Sequence, residues 1–135
     1  MTETSDEPTL YDLLGGRAGV EALAHRFYDW MDDHEPALAA LHELDDQGKV
    51  AAGPRERFAM FLVGWVGGPQ DYMATHGHPR LRMRHARVRV DVAMRDAWLR
   101  SMEGAMDAQG VHPDARRFLS GRFAQVADFL RNVPE

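Results

Sequence analysis

Residues 77–98 read GHPRLRMRHARVRVDVAMRDAW, and the fold turns on how this stretch is taken. Gly77-His78-Pro79 breaks the chain. Arg80-Leu81-Arg82-Met83-Arg84 then alternates with period two, the pattern of a half-buried strand. A strand needs a partner, and the sequence offers no second alternating run and no hairpin turn. From Asp91, a helix N-cap, the period lengthens: Met94, Trp98, Met102 and Ala105 or Met106 fall on one face of a helix running to about Gln109. The alternation therefore predicts no sheet. It reads as an irregular segment, 72–89, with at most one or two helical turns at 81–85 and His85 at its centre.

Outward from this stretch the chain is helical. Thr9 caps a short helix, 10–14, with Asp12 as a capping-box partner, and Gly15-Gly16 ends it. A long helix spans 18–33, its stripe formed by Val20, Leu23, Ala24, Phe27, Tyr28 and Met31. A helical turn covers 36–41. The polar run 42–53 exceeds the usual two to eight residues of a helix–helix connection. Gly53-Pro54 opens the next helix, with Phe58, Phe61, Leu62 and Trp65 as its buried stripe, and Gly67-Gly68-Pro69 stops it. Gly110 ends the helix begun at Asp91. Pro113 opens the last one, lined by Leu119, Phe123, Val126 and Leu130.

Composition bounds the function. With 135 residues one domain is expected, 9–135, behind a polar disordered tail, 1–8. The tail has no apolar segment and does not read as a signal peptide. No apolar run approaches the ~20 residues that cross a bilayer, and the expected location is cytoplasmic. The absence of cysteine excludes disulfides, thiolate metal sites and cysteine nucleophiles. A net charge of −5 argues against general nucleic-acid binding, although arginines crowd 80–100. Eight Met and three Trp suit a pocket shaped around a large apolar body or a homodimer interface, but composition alone favours ordinary core filling.

The common enzyme constellations are missing. There is no phosphate loop, no H-E-x-x-H helix and no serine in a nucleophile elbow. Asp45-Asp46 reads as a solvated acidic pair. Of the seven histidines, 25, 34, 42, 76, 78, 85 and 112, the first two fall on polar helix faces and His112 precedes Pro113 as a cap. His42, His76, His78 and His85 lie near the irregular segments, but their spacing supports no zinc site. A single imidazole can also hold haem iron. Phe58, Phe61, Leu62, Leu81, Met83, Val88 and Met102 could line a slot for the macrocycle. Arg57, Arg84 and Tyr72 could meet its propionates, and Tyr28 and Trp98 could bring donors to a ligand. Taken one at a time, these residues read better as a structural histidine, core packing and a solvated basic face, so the haem reading rests on their combination.

At these positions the sequence resembles the truncated haemoglobins of the second group, from about Thr9 to Val133. The resemblance rests on Tyr11 with Gly15-Gly16, Arg26-Phe27-Tyr28, Met60-Phe61-Leu62, Gly67-Gly68-Pro69 with Tyr72, the run from Gly77 to His85, and Arg95-Asp96-Ala97-Trp98-Leu99. It implies an all-α, shortened globin: a two-over-two helical sandwich around haem b. The proximal iron ligand falls on His85, the distal tyrosine on Tyr28, and the tryptophan that marks the group on Trp98. Phe27, Arg57, Phe58, Phe61, Leu62, Tyr72, His78, Leu81, Met83, Arg84, Val88 and Met102 fall on or beside haem-contacting positions. His42 matches a distal position that the family fills with Tyr, His or Phe.

Three departures stand out: the 43–53 loop is long, Pro54 occupies the position of a common globin's distal histidine, and Phe58 is bulky. The resemblance implies binding of O2 and other diatomic ligands, with redox chemistry of oxygen, nitric oxide or peroxide and a separate, unidentified reductase. Two other readings stand beside it. One is a true haem peroxidase or nitric oxide dioxygenase with His42 as acid–base. The other is a haem-free helical interaction module using the 80–100 face.

Overall fold

The computed structural model describes residues 9–78 and 90–132. Among them the chain forms seven helices and no strand beyond one isolated bridge. The tail, the alternating run, the turn expected at 81–85, and Leu81, Met83, Arg84, His85 and Val88 lie outside the described residues.

The helices are α1 (Leu10–Leu13), α2 (Gly16–His34), α3 (Pro36–Ala39), α4 (Ala52–Trp65), α5 (Asp71–His76), α6 (Val92–Gln109) and α7 (Pro113–Leu130). Their ends follow local chemistry. Thr9 Oγ1 accepts the Asp12 N–H while the Asp12 carboxylate accepts the Thr9 N–H, closing the capping box of α1. Asp91 caps α6 through the Met94 N–H at 2.9 Å. Gly110 takes φ +66°, a left-handed C-cap that an L-residue rarely adopts, and stops α6. The His112 side chain accepts the Asp114 N–H ahead of Pro113.

Two helix pairs make the body: α2 against α4, and α6 against α7, with α2 also packed across α6. Val20, Leu23, Ala24, Phe27 and Met31 bury the inner stripe of α2, and Met102, Ala105, Met106 and Leu119 meet it from the other pair. Burying such side chains stabilises the fold by roughly 1.5–3 kcal/mol each before the entropy of ordering them is counted. The close approach at the start of α2 needs Gly19: a Cβ there would stand 1.8 Å from the Leu14 carbonyl oxygen.

Two expectations are corrected. The Tyr72–His76 part of the irregular segment is helical, because Tyr72 is buried and Arg17 holds Asp71 at 2.8 Å from α2. And α4 does not bury the stripe Phe58, Phe61 and Trp65. Its core face is Ala59, Leu62 and Val63, whereas the aromatic rings remain half-buried. Aliphatic residues thus fill the core side of α4, and its large rings line the cavity.

The long connection is ordered. Asp45 accepts the Gln47 and Lys49 N–H groups at 2.9 and 3.0 Å and donates its own N–H to the Lys49 carbonyl at 2.7 Å. Gly48 turns the chain at φ +78°. Leu44 bridges to Val50, and Val50 is buried with its N–H on Asp32 of α2.

Candidate functional site

A cavity of about 350 Å³ opens between the helix pairs, within the range of small-molecule and cofactor sites. Helix α2, α3 and the turn after it bring Tyr28, Leu38, Leu41 and His42 to it. The outer face of α4 adds Pro54, Arg57, Phe58, Phe61 and Trp65, and α5 adds Tyr72. From the second pair come Val90, Met94, Arg95, Trp98, Phe123, Val126, Ala127 and Leu130. The walls are thus mainly aromatic and aliphatic.

Their rings lock one another. Phe27 sits behind the wall with its centroid 4.9 Å from Tyr28 and 5.1 Å from both Phe58 and Trp98. Trp98 meets Phe123 at 5.4 Å, and Phe123 stacks on Trp65 at 5.1 Å. Such edge-to-face and offset contacts stabilise pairs by about 0.5–1.5 kcal/mol beyond burial, so the donor-bearing rings have little rotational freedom.

Two hydrogen-bond donors sit among these apolar side chains, the Tyr28 O–H and the Trp98 indole N–H. Neither has an acceptor among the described residues, although Tyr28 is only 5% exposed. Burial pushes the Tyr28 phenol well above its ordinary value. The charges of Arg55 and Arg57 oppose that shift without reversing it. Tyr28 is therefore protonated, and a donor, throughout the neutral range. His42 lies beside it at 5.5 Å, half-buried, with Nδ1 3.1 Å from the Leu38 carbonyl.

Behind Tyr28 is a feature that the sequence pattern did not reveal. Arg55 pairs with Asp32 at 2.7 Å and Asp29 at 2.8 Å, and donates from Nε to the Val50 carbonyl at 2.8 Å. Its Cζ lies 5.6 Å from the Tyr28 ring centroid. A signal existed in Arg55 itself, a cation beside the helix start of α4, but its partners lie 23 and 26 residues away.

Of the residues expected at a haem site, the structure brings Tyr28, His42, Arg57, Phe58, Phe61, Tyr72 and Trp98 to one cavity. Phe27, Leu62 and Met102 are fully buried behind its lining. His78 is exposed and outside it. Trp65, Met94, Arg95 and Phe123 line the cavity but were expected only as core or motif residues. Arg95 sits at the rim with Nε on Asp96 at 3.1 Å and Nη1 on Asp128 at 3.0 Å, so its charge is already shared with two carboxylates. Arg57, exposed on the opposite wall, shows no such pairing among the described residues.

The profile of the bacterial-like globin family matches residues 9–132. The chain is 41% identical over 125 residues to the group 2 truncated hemoglobin YjbI of Bacillus subtilis (strain 168), covering 93% of this chain and 89% of that protein. The cold-adapted truncated hemoglobin of Pseudoalteromonas haloplanktis TAC125 superposes with a TM-score of 0.85 at 39% identity, covering 93% of this chain and 98% of that one. The group II 2-on-2 hemoglobin of Agrobacterium tumefaciens gives 0.86 at 35% identity, covering 96% and 98%.

This family implies haem binding, and the donor set tests whether the site fits it. A slot walled by aromatic and aliphatic side chains suits the macrocycle, an exposed arginine suits a propionate, and two donors without an acceptor among the described residues suit a polar ligand. The residues fit. By sequence, by its two-over-two helical sandwich and by its site, the chain belongs to the bacterial-like globin family, as a truncated haemoglobin of the second group.

Proposed function

We propose that the chain holds haem b in this cavity with His85 as the iron ligand and binds O2 and other diatomic ligands, with Tyr28 and Trp98 as their donors. One observation carries the reading: Tyr28 and Trp98 line a single, mainly apolar cavity, and neither the Tyr28 O–H nor the Trp98 N–H has an acceptor among the described residues. When bound, haem would supply the ferrous iron site at which a diatomic ligand could be held.

The chain supplies the surroundings. Phe58, Phe61 and the Trp65–Phe123 stack exclude water. Arg57 balances a propionate. Tyr28 and Trp98 donate to the ligand, and a donor to a charged acceptor in a dry pocket acts more strongly than in water. In the alternative reading of a true peroxidase or nitric oxide dioxygenase, His42 is the acid–base group. Strong donors slow ligand escape, which favours redox chemistry of oxygen, nitric oxide or peroxide, fed by a reductase in the cytoplasm, over oxygen delivery.

The test is the optical spectrum of the purified protein in its ferric and ferrous forms, beside that of His85→Ala. The expected result is a strong Soret band with a five-coordinate ferrous form, lost in the variant. A protein that refuses haemin would end the reading, and an unaltered spectrum in His85→Ala would remove His85 as the ligand.

A further inference from the structure

Tyr28 is held on its cavity side by rings and on its other side by a cation. Arg55 lies over the Tyr28 ring at 5.6 Å, within the distance at which a guanidinium is attracted to a ring face. The guanidinium itself has little freedom. Nε donates to the Val50 carbonyl, Nη1 to Asp29 and to the His25 carbonyl at 3.3 Å, and Nη2 to Asp32. The Arg55 and Asp32 side chains are 12% and 5% exposed, so this pair is largely shielded from solvent. The second Asp32 oxygen accepts the Val50 N–H at 3.1 Å, fixing the carboxylate that fixes the arginine. An arginine meeting only an ion-pairing need would be satisfied by Asp29 at the surface. Here the fork reaches inward to a second carboxylate and two carbonyls, which fixes the guanidinium plane.

We infer that Arg55 is a positioning residue for Tyr28: clamped by Asp32, Asp29 and the Val50 carbonyl, its guanidinium fixes the tyrosine ring and so sets the direction of the phenol O–H in the cavity. The same cation polarises the ring and makes the O–H a stronger donor. The inference rests on the reading that Tyr28 donates to a bound ligand, but ring placement can be measured separately from ligand release.

Two measurements test it in the carbon monoxide-bound ferrous protein and in the oxygen-bound protein. The variants are Arg55→Met and, because a lone buried Asp32 carboxylate can unfold the chain, Arg55→Met with Asp32→Asn. In protein carrying 3-fluorotyrosine at its three tyrosines, the fluorine line absent from Tyr28→Phe belongs to Tyr28. That line should move or split in either Arg55 variant while the lines of Tyr11 and Tyr72 stay in place. An unmoved Tyr28 line would overturn the inference.

Oxygen release should quicken about fivefold on loss of Arg55, and less than about twofold when Tyr28 is already Phe. Equal acceleration in the two backgrounds would overturn the inference, because Arg55 would then act through general packing. Should Tyr28→Phe alone leave release unchanged, the proposed donor role of Tyr28 fails, and the fluorine line alone decides the placement by Arg55.

Discussion

The His42 imidazole meets the Tyr28 ring edge-on at 5.5 Å while its Nδ1 lies 3.1 Å from the Leu38 carbonyl. A carbonyl only accepts, so Nδ1 carries a proton, and in the neutral ring Nε2 is the acceptor nitrogen. The Tyr28 end of the cavity thus combines a phenol donor with an imidazole of defined tautomer. Trp98 belongs to the other helix pair, and Phe58 contacts both rings, 5.7 Å from Tyr28 and 6.4 Å from Trp98.

Trp98→Phe keeps the ring packing against Phe27 and Phe123 but removes the N–H. Oxygen dissociation, followed by stopped flow, should quicken about tenfold, equivalent to ~1.4 kcal/mol for one lost hydrogen bond. An unchanged rate would remove Trp98 from the donor pair.

The two carboxylates on Arg55 should differ sharply. Asp32→Ala removes the buried carboxylate from Arg55 and leaves the Val50 N–H without its acceptor, and should cost about 3–5 kcal/mol in urea unfolding. Asp29, with a side chain 66% exposed, pairs at the surface, and Asp29→Ala should cost under about 1 kcal/mol. Equal costs would mean that solvent reaches the whole cluster.

Alkaline stability should report the burial of Tyr28. An acid whose folded value is raised favours the neutral form, so its contribution is intact below the ordinary tyrosine value of 10.0 and is lost as pH climbs beyond it. The stability difference between the wild type and Tyr28→Phe should stay constant between about pH 6 and pH 9, then shift in favour of the variant above about pH 10. A constant difference up to about pH 11 would mean that the phenol ionises as easily folded as unfolded.

Gly19→Ala should destabilise the protein by about 1–3 kcal/mol, read as a lowered urea midpoint. The added methyl meets backbone at Leu14, which cannot rotate away as a side chain would. A neutral substitution would show that α1 and its turn can shift without loss.

Local chemistry made most of the fold legible. Thr9 with Asp12, Asp91, Gly110 and Pro113 mark helix ends by interactions within three or four residues of themselves, and the structure puts the ends there. Helix α5 escaped because Gln70 offers it no side-chain cap, and its supports, Arg17 on Asp71 and the burial of Tyr72, come from distant parts of the chain. In α4 the period was readable but the side was not. Ala59, Leu62 and Val63 and the aromatic set Phe58, Phe61 and Trp65 are both apolar, and only the partner helix decides which is core and which is wall. The same limit hid Arg55, whose role depends on carboxylates supplied by α2.

The 43–51 turn closes upon itself. Ala51 donates to the Glu43 carbonyl at 2.9 Å, Leu44 pairs with Val50, and Asp45 gathers the N–H groups between. The distance between strands leaving His42 and entering Pro54 is therefore set at the neck, and the tip adds nothing to it. Residues 45–49 form a handle outside the neck: an inserted tag, a label or a natural length change there would hang from two anchored ends and leave the ligand chamber its shape.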